Sequence, residues 1–140
     1  MQIIIGFQSE MNEFEHIGDC PERLKWKEIR YQNNSFCYFI NENQLNFNDA
    51  QHFCVSLNST LFTISNRFEN LFISAQVDSK SWIGLYQTSN NRWKWTSNEK
   101  SSYRNWNNIP RTSEKSQTSD CVYVSLNSFD KTFTWYDHDC

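Results

Sequence analysis

The spacing of five cysteines constrains this chain more than any other feature of its sequence. It contains no C-x-x-C pair, so a zinc knuckle or a thioredoxin-like redox site is not expected. The interpretation that remains is a disulfide framework formed in an oxidising compartment. Two N-glycosylation sequons, which begin at Asn33 and Asn58, agree with an extracellular setting. The five residues are Cys20, Cys37, Cys54, Cys121 and Cys140.

The length of 140 residues fits one domain, and an aromatic content of 16% supplies bulky side chains for its core. The formal net charge is −3 with no basic run, so nucleic acid and anionic membranes are not expected partners. Residues 1–19 are acidic and weakly patterned, which predicts a stalk or linker remnant before a domain at residues 20–140. The segment from Met1 to Phe7 is too short for a signal peptide or a membrane span, so we expect a partial chain.

Hydrophobic periodicity predicts two helices followed by strands. Apolar residues at helical spacing predict a first helix over residues 47–57, with Phe47, Ala50, Phe53, Cys54 and Leu57 on its buried face. A second helix is predicted to begin with a capping box of Asn66 and Glu69 and to bury Phe68, Leu71, Phe72 and Ala75. Residues 97–120 lack periodicity and are interpreted as a long irregular loop. Strands are predicted over residues 36–41, 61–64, 81–86, 93–95, 121–126 and 133–136, which makes an α+β domain.

Several of these segments resemble one protein family. The stretch Ser81-Trp82-Ile83-Gly84-Leu85 looks like the WIGL motif of C-type lectin-like domains. Cys20-Pro21 and Cys37-Tyr38 resemble the N-terminal hairpin of the long form of that domain. Cys54, Trp93-Lys94-Trp95, Cys121 and Trp135 to Cys140 follow in the family's order. The resemblance covers residues 20–140 and is nearest to the natural-killer-receptor-like members, which do not depend on calcium.

The resemblance implies a disulfide pairing. Cys20 would pair with Cys37, and Cys121 with Cys140, whereas the family partner of Cys54 would lie beyond Cys140. We therefore expect a domain truncated at its C-terminus, and the alternative is a free Cys54 buried as a small hydrophobic side chain. The resemblance also implies a structural, core role for Trp82, Gly84, Trp93, Trp95 and Trp135.

The resemblance also bears on calcium, which sugar-binding members of the family hold in the long loop with carboxylate and amide oxygens. Where the family has an EPN or QPD triplet, this chain has Ile109-Pro110-Arg111. Ser119 stands where an acidic residue is expected, and Trp135-Tyr136-Asp137 retains only Asp137 of the WND pair of ligands. We therefore expect no cofactor and no calcium. A different cation site, formed by Glu114, Asp120, Asp137 and Asp139, is the alternative.

The loop carries residue types that dominate protein interfaces. We expect a ligand-binding face that includes Tyr103, Arg104, Trp106, Arg111 and Asp137. The resemblance implies a cell-surface protein as the ligand, or a glycan. For Trp106 the alternative is a buried anchor of the loop.

The sequence favours binding over catalysis. The histidines His16, His52 and His138 accompany no nucleophile motif such as G-x-S-x-G, so we expect no enzyme. The expected location is the extracellular face of the cell membrane, as a type II receptor ectodomain, or the secreted state. Two other functions stay open, a calcium-dependent carbohydrate-binding lectin and a secreted or viral decoy. A homodimer formed through the stalk or the first strand is a further expectation.

Overall fold

A computed structural model describes residues 1–8, 20, 26–31, 34–107, 120–127 and 132–140. It combines two helices with one mainly antiparallel sheet, and the predicted α+β fold is confirmed. The helices are α1, Phe47–Ser56, and α2, Arg67–Ser74. The strands are β1, Gln2–Gln8; β2, Lys27–Tyr31; β3, Asn34–Asn41; β4, Thr60–Leu61; β5, Ser81–Gln87; β6, Trp93–Trp95; β7, Asp120–Leu126; and β8, Phe133–Asp139.

The sheet has the order β2-β3-β1-β5-β7-β8, with β4 paired to β1 and β6 paired to β5. Strand β1 runs antiparallel to β3 and parallel to the start of β5, where Gln2 lies opposite Ser81. The prediction of a stalk is therefore wrong for residues 2–8, which form an internal strand, while residues 9–19 lie outside the described part. The physical reason is that the backbone N–H and C=O groups of this weakly patterned segment form hydrogen bonds with the edge of β3.

Strands β2 and β3 form the N-terminal hairpin that the resemblance implied, and the Cys20–Cys37 disulfide closes it. Because β3 pairs with β2 on one side and β1 on the other, it offers no open edge to a second chain within the described sheet. A homodimer that forms by pairing of this strand with a second chain is thus not supported. Dimerisation through residues 9–19 stays a prediction. The segment predicted as a strand over residues 61–64 is shorter, at Thr60–Leu61.

Both helices begin at an asparagine. The side chain of Asn46 accepts a hydrogen bond from the Asp49 amide at 2.8 Å, and α1 buries Phe47, Ala50 and Cys54 as predicted. At α2 the Asn66 side chain accepts from the Glu69 amide at 2.9 Å, while the Glu69 carboxylate accepts from the backbone N–H of Ser65 at 2.6 Å. The predicted capping pair is confirmed.

The predicted buried face of α2 is wrong at three of its four residues, because only Phe72 packs against the core. Phe68 is 39% exposed and Leu71 is 56% exposed, and Ala75 is exposed too. The buried residues of the helix are instead Asn70 and Ile73. Oδ1 of Asn70 accepts a hydrogen bond from the indole of Trp135, so this polar side chain has a partner inside the core.

The sheet separates two hydrophobic clusters because successive residues of a strand point to opposite faces. On β5, Trp82 belongs to the cluster beneath α1, whereas Ile83 belongs to the cluster beneath α2. On β7, Cys121 belongs to the cluster beneath α1 and Val122 to the cluster beneath α2. Each helix therefore covers its own face of the sheet.

The structure contains both disulfides that the resemblance implied, Cys20–Cys37 and Cys121–Cys140. Cys54 is a free thiol, fully buried between α1 and the sheet. Among the described residues, neither helix is long and apolar enough to span a membrane.

Candidate functional site

The described part of the long loop is residues 97–107, and its end, residues 105–107, lies along strand β8. The Trp135 amide donates to the Asn105 carbonyl at 2.9 Å, and the Asn107 amide donates to the Trp135 carbonyl at 2.9 Å. The Asn105 side chain also donates to the Phe133 carbonyl at 2.6 Å. The loop is irregular as predicted, yet its backbone is fixed to the edge of the sheet.

The root of the loop is fixed to the segment that precedes α2. The hydroxyls of Thr63 and Ser97 lie 2.7 Å apart, and the Ser65 hydroxyl donates to the Glu99 carboxylate at 3.0 Å. An open cleft of about 710 Å³ separates the two segments and is lined by Ser65, Asn66, Arg67, Glu99, Lys100, Ser101, Ser102 and Tyr103. The candidate site therefore adjoins an open cleft at the N-terminus of α2.

Aromatic side chains pack around the buried indole of Trp135. The ring centroids of Trp95, Tyr103 and Trp106 lie 5.7 to 5.8 Å from that of Trp135, all at steep angles. Trp106 also packs against Trp93, with 5.0 Å between centroids. Trp106 is half-buried, so it is an anchor of the loop that keeps an accessible edge. Trp93 is likewise only partly buried, whereas Trp95 is core as predicted.

Arg104 is held in one orientation by its neighbours. Its Nη1 donates to the carbonyls of Ser101 at 3.0 Å and Tyr103 at 2.6 Å, and its guanidinium lies 5.8 Å from the centre of the Trp95 ring. Burial lowers the pKa of the guanidinium from its ordinary value, although an arginine stays charged at any physiological pH. Burial also raises the pKa of the Tyr103 phenol, and the positive charge of nearby Arg67 offsets part of that increase. The loop thus presents a fixed cation beside a tyrosine.

The family model described as "Lectin C-type domain" matches residues 43–140. These residues include both helices, strands β4–β8 and the whole candidate site.

The chain belongs to the C-type lectin domain family.

Individual relatives of this C-type lectin domain are of several kinds. Human lithostathine-1-beta is 31% identical over 76% of the chain and 66% of its own length. Mouse lithostathine-1 is 29% identical over 99% of the chain and 86% of its own length. The human NKG2-C type II integral membrane protein is 36% identical over 53% of the chain and 29% of its own length. The chain thus spans about two thirds of the first of these proteins and less than a third of the last.

The C-type lectin domain brings three of the predicted ligand residues together. On one short stretch of loop, Tyr103 and Trp106 pack against Trp135 of β8. Arg104 lies over Trp95 of β6. Asp137 follows Trp135 by two residues on β8, so it lies on the same face of that strand. Arg111 lies outside the described residues, as do Ile109, Pro110, Glu114, Ser119 and the sequon residue Asn33.

Acidic residues do not form a metal cluster in the described part of the domain. No three histidine, cysteine, aspartate or glutamate side chains converge there. Asp120 lies opposite Asp139 in the pairing of β7 with β8, while Asp137 lies opposite Val122. The alternative cation site therefore does not form from its described members alone.

Two residues that support the site were not predicted from sequence. Asn70 accepts the indole hydrogen bond of Trp135 at 2.8 Å, and Ser101 accepts from the indole of Trp95 at 3.3 Å through its carbonyl. The spacing of Asn70 and Ile73 with Val77 would place all three on one helix face, which is the signal that could have identified Asn70. No local signal marks Ser101, because its role depends on a loop conformation.

Proposed function

We propose that this C-type lectin domain recognises a protein ligand on a cell surface without calcium. The domain is extracellular or secreted, as its disulfides and its family indicate. The binding face that we propose consists of Tyr103, Arg104, Trp106, Arg111 and Asp137. The observation that carries the proposal is Arg104, held by two backbone carbonyls and packed over Trp95 beside Tyr103.

Pre-organisation is the physical reason why this face suits a protein ligand. Tyrosine, tryptophan and arginine contribute most of the binding energy at protein interfaces when they are well packed. An arginine whose rotamer is already fixed loses less conformational entropy on binding than a free one. The half-buried Trp106 adds a rigid apolar edge next to it. A planar guanidinium in this setting suits a carboxylate of the ligand, which it can bind through two hydrogen bonds.

The proposal that no calcium is needed rests on the chemistry of the ligand set. Calcium requires six to eight oxygen ligands, several of them carboxylates. The side chains of Ile109 and Arg111 in the loop triplet offer no oxygen ligand, and Arg111 carries a positive charge. Asp137 is the carboxylate that remains in the last triplet. We therefore propose a domain without a metal cofactor.

We also infer that the domain binds and does not catalyse. Burial raises the pKa of the Cys54 thiol to about 12, which keeps it protonated and unreactive at neutral pH. The other four cysteines are in disulfides. Its relatives include a protein named as a type II integral membrane protein, and a type II receptor ectodomain is the form that we propose for this chain. A secreted decoy with the same binding face is the second form.

The test is the staining of ligand-bearing cells with a fluorescent tetramer of the domain. We expect staining that persists in EDTA and after enzymatic removal of cell-surface glycans, and that disappears after mild protease treatment. Staining that needs calcium and is competed by free sugars would contradict the proposal and would make glycan binding the function.

Two arginine variants locate the binding face. Arg104→Ala should reduce staining at least about tenfold, because hot-spot residues contribute about 2 kcal/mol or more. The matched control is Arg92→Ala, which removes an exposed arginine from the turn between β5 and β6. Staining by Arg104→Ala as strong as that by Arg92→Ala and the wild type would show that this face does not bind the ligand.

A further inference from the structure

We propose that Asn58 carries an N-linked oligosaccharide, and that this glycan covers the α1 side of the domain. The acceptor sequence is Asn58-Ser59-Thr60, with a hydroxyl residue at the third position and no proline at the second. The side chain of Asn58 is exposed. It makes no hydrogen bond to any residue in the described part of the chain.

The turn after α1 presents Asn58 outward. Its φ of 51° lies in the left-handed region, which asparagine tolerates better than most residues. Its backbone N–H donates to the Val55 carbonyl at 3.0 Å and so fixes the turn. Val55, on the outer face of α1, is 57% exposed. The first sugars of a glycan on Asn58 would lie over this apolar side chain and reduce its contact with water.

The other two residues of the sequon are used by the fold. Ser59 is buried, and its hydroxyl donates to the Cys54 carbonyl at 2.8 Å. Thr60 begins β4 and lies opposite Gly6 of β1. Thr60 is only partly buried, so the third residue of the sequon keeps some access to solvent.

The oligosaccharide is transferred to Asn58 from a polyprenyl diphosphate carrier. Nδ2 of Asn58 forms a bond to the anomeric carbon of the first sugar, and the bond from that carbon to the diphosphate breaks. The amide loses one proton, and the polyprenyl diphosphate leaves. No oxidation or reduction is involved.

The position of Asn58 separates the glycan from the proposed binding face, a point that rests on the proposed function. Helix α1 covers one hydrophobic cluster, and Trp106 packs on the other cluster across the sheet. A glycan at the end of α1 is thus on the opposite side of the sheet from Tyr103 and Arg104. It would shield the α1 side and leave the loop free for a ligand.

The test is peptide mapping of the domain secreted from eukaryotic cells. Release of the glycan by peptide:N-glycosidase should convert Asn58 to Asp, which mass spectrometry detects in its own peptide, separately from the peptide with Asn33. Thr60→Ser should keep the modification because the hydroxyl remains, whereas the isosteric Thr60→Val should lose it completely. An unmodified Asn58 in the wild type, or a modified one in Thr60→Val, would overturn the proposal.

Two controls distinguish a loss of glycosylation from misfolding and from a loss of ligand binding. Protection of the Cys54 thiol from alkylation reports whether each variant is folded. Mapping does not use a ligand, so its result stands even if the proposed function fails. Asn58→Gln should stain cells as well as the wild type does, and loss of staining by a folded Asn58→Gln would show that the glycan is not on the side opposite the ligand.

Discussion

The indole Nε1 of Trp135 donates a hydrogen bond to Oδ1 of Asn70 over 2.8 Å, which joins strand β8 to helix α2 inside the core. Both side chains are buried, at 1% and 5% exposure. The bond connects residues that are far apart in sequence and fixes the tryptophan around which the loop aromatics pack. The candidate binding face therefore depends on a polar contact with a helix that does not belong to it.

Replacing Asn70 should test that dependence. Asn70→Ala leaves a buried indole N–H without its acceptor, which typically costs about 1–3 kcal/mol of unfolding free energy. The measurement is urea unfolding followed by tryptophan fluorescence. Asn48→Ala, at an exposed position of α1, is the matched control and should change stability by no more than about 0.5 kcal/mol. Equal stability of the two variants would show that the hydrogen bond contributes nothing.

Gly84 should not tolerate a side chain. An added Cβ would lie 2.6 Å from Oγ1 of Thr96 and 2.9 Å from the carbonyl oxygen of Leu61, both closer than van der Waals contact permits. We expect Gly84→Ala to lower the unfolding free energy by about 1–3 kcal/mol, as overpacked cores do. Adding Thr96→Ala should not restore stability, because the Leu61 carbonyl belongs to the backbone and cannot rotate away. Full rescue by that second substitution would contradict this explanation.

Glu69 should make stability depend on pH. Burial, the largest cause, raises its pKa above the usual 4.5, and the hydrogen bonds from Ser65 and Asn66 lower it only in part. Because the pKa is higher in the folded state, the contribution of Glu69 to stability is fully present below the unfolded-state pKa. It is lost as pH rises through the folded-state pKa.

The measurement is the unfolding free energy of the wild type minus that of Glu69→Gln, taken between pH 4 and pH 7, a range that spans roughly the ordinary glutamate pKa and neutrality. We expect this difference to fall as pH rises. Glu42→Gln, which removes an exposed carboxylate, controls for the loss of one negative charge. A difference that grows with pH would mean that capping of α2 by the ionised carboxylate outweighs its burial.

Cys54 should react only when the domain unfolds. The thiol is fully buried, and burial raises its pKa to about 12, so both access and thiolate formation are suppressed. Alkylation at neutral pH should follow the unfolding curve in urea. Val55→Cys places a second thiol at an exposed neighbouring position, where labelling should be fast without denaturant. Rapid native labelling of Cys54 itself would show that this part of the core opens locally.

Part of the candidate site could be predicted from the sequence, because residue type alone marks it. Tyr103, Arg104 and Trp106 are interface residue types within an aperiodic stretch, and in the structure each packs against a core tryptophan. Whether Trp106 is an anchor or a ligand contact could not be decided from sequence. That answer depends on the distance to Trp93 and Trp135, which only the folded chain sets.

The sequence by itself determined the local features of this protein. Caps such as Asn66 with Glu69 form between residues three apart, and the alternation of β5 assigns its side chains to opposite faces without reference to the rest of the chain. Only the tertiary structure decided that Gln2–Gln8 is an internal strand and that Asn70 accepts a hydrogen bond from Trp135. Both depend on partners distant in sequence, the edges of β3 and β5 and the indole of Trp135, and local periodicity carries no information about such partners.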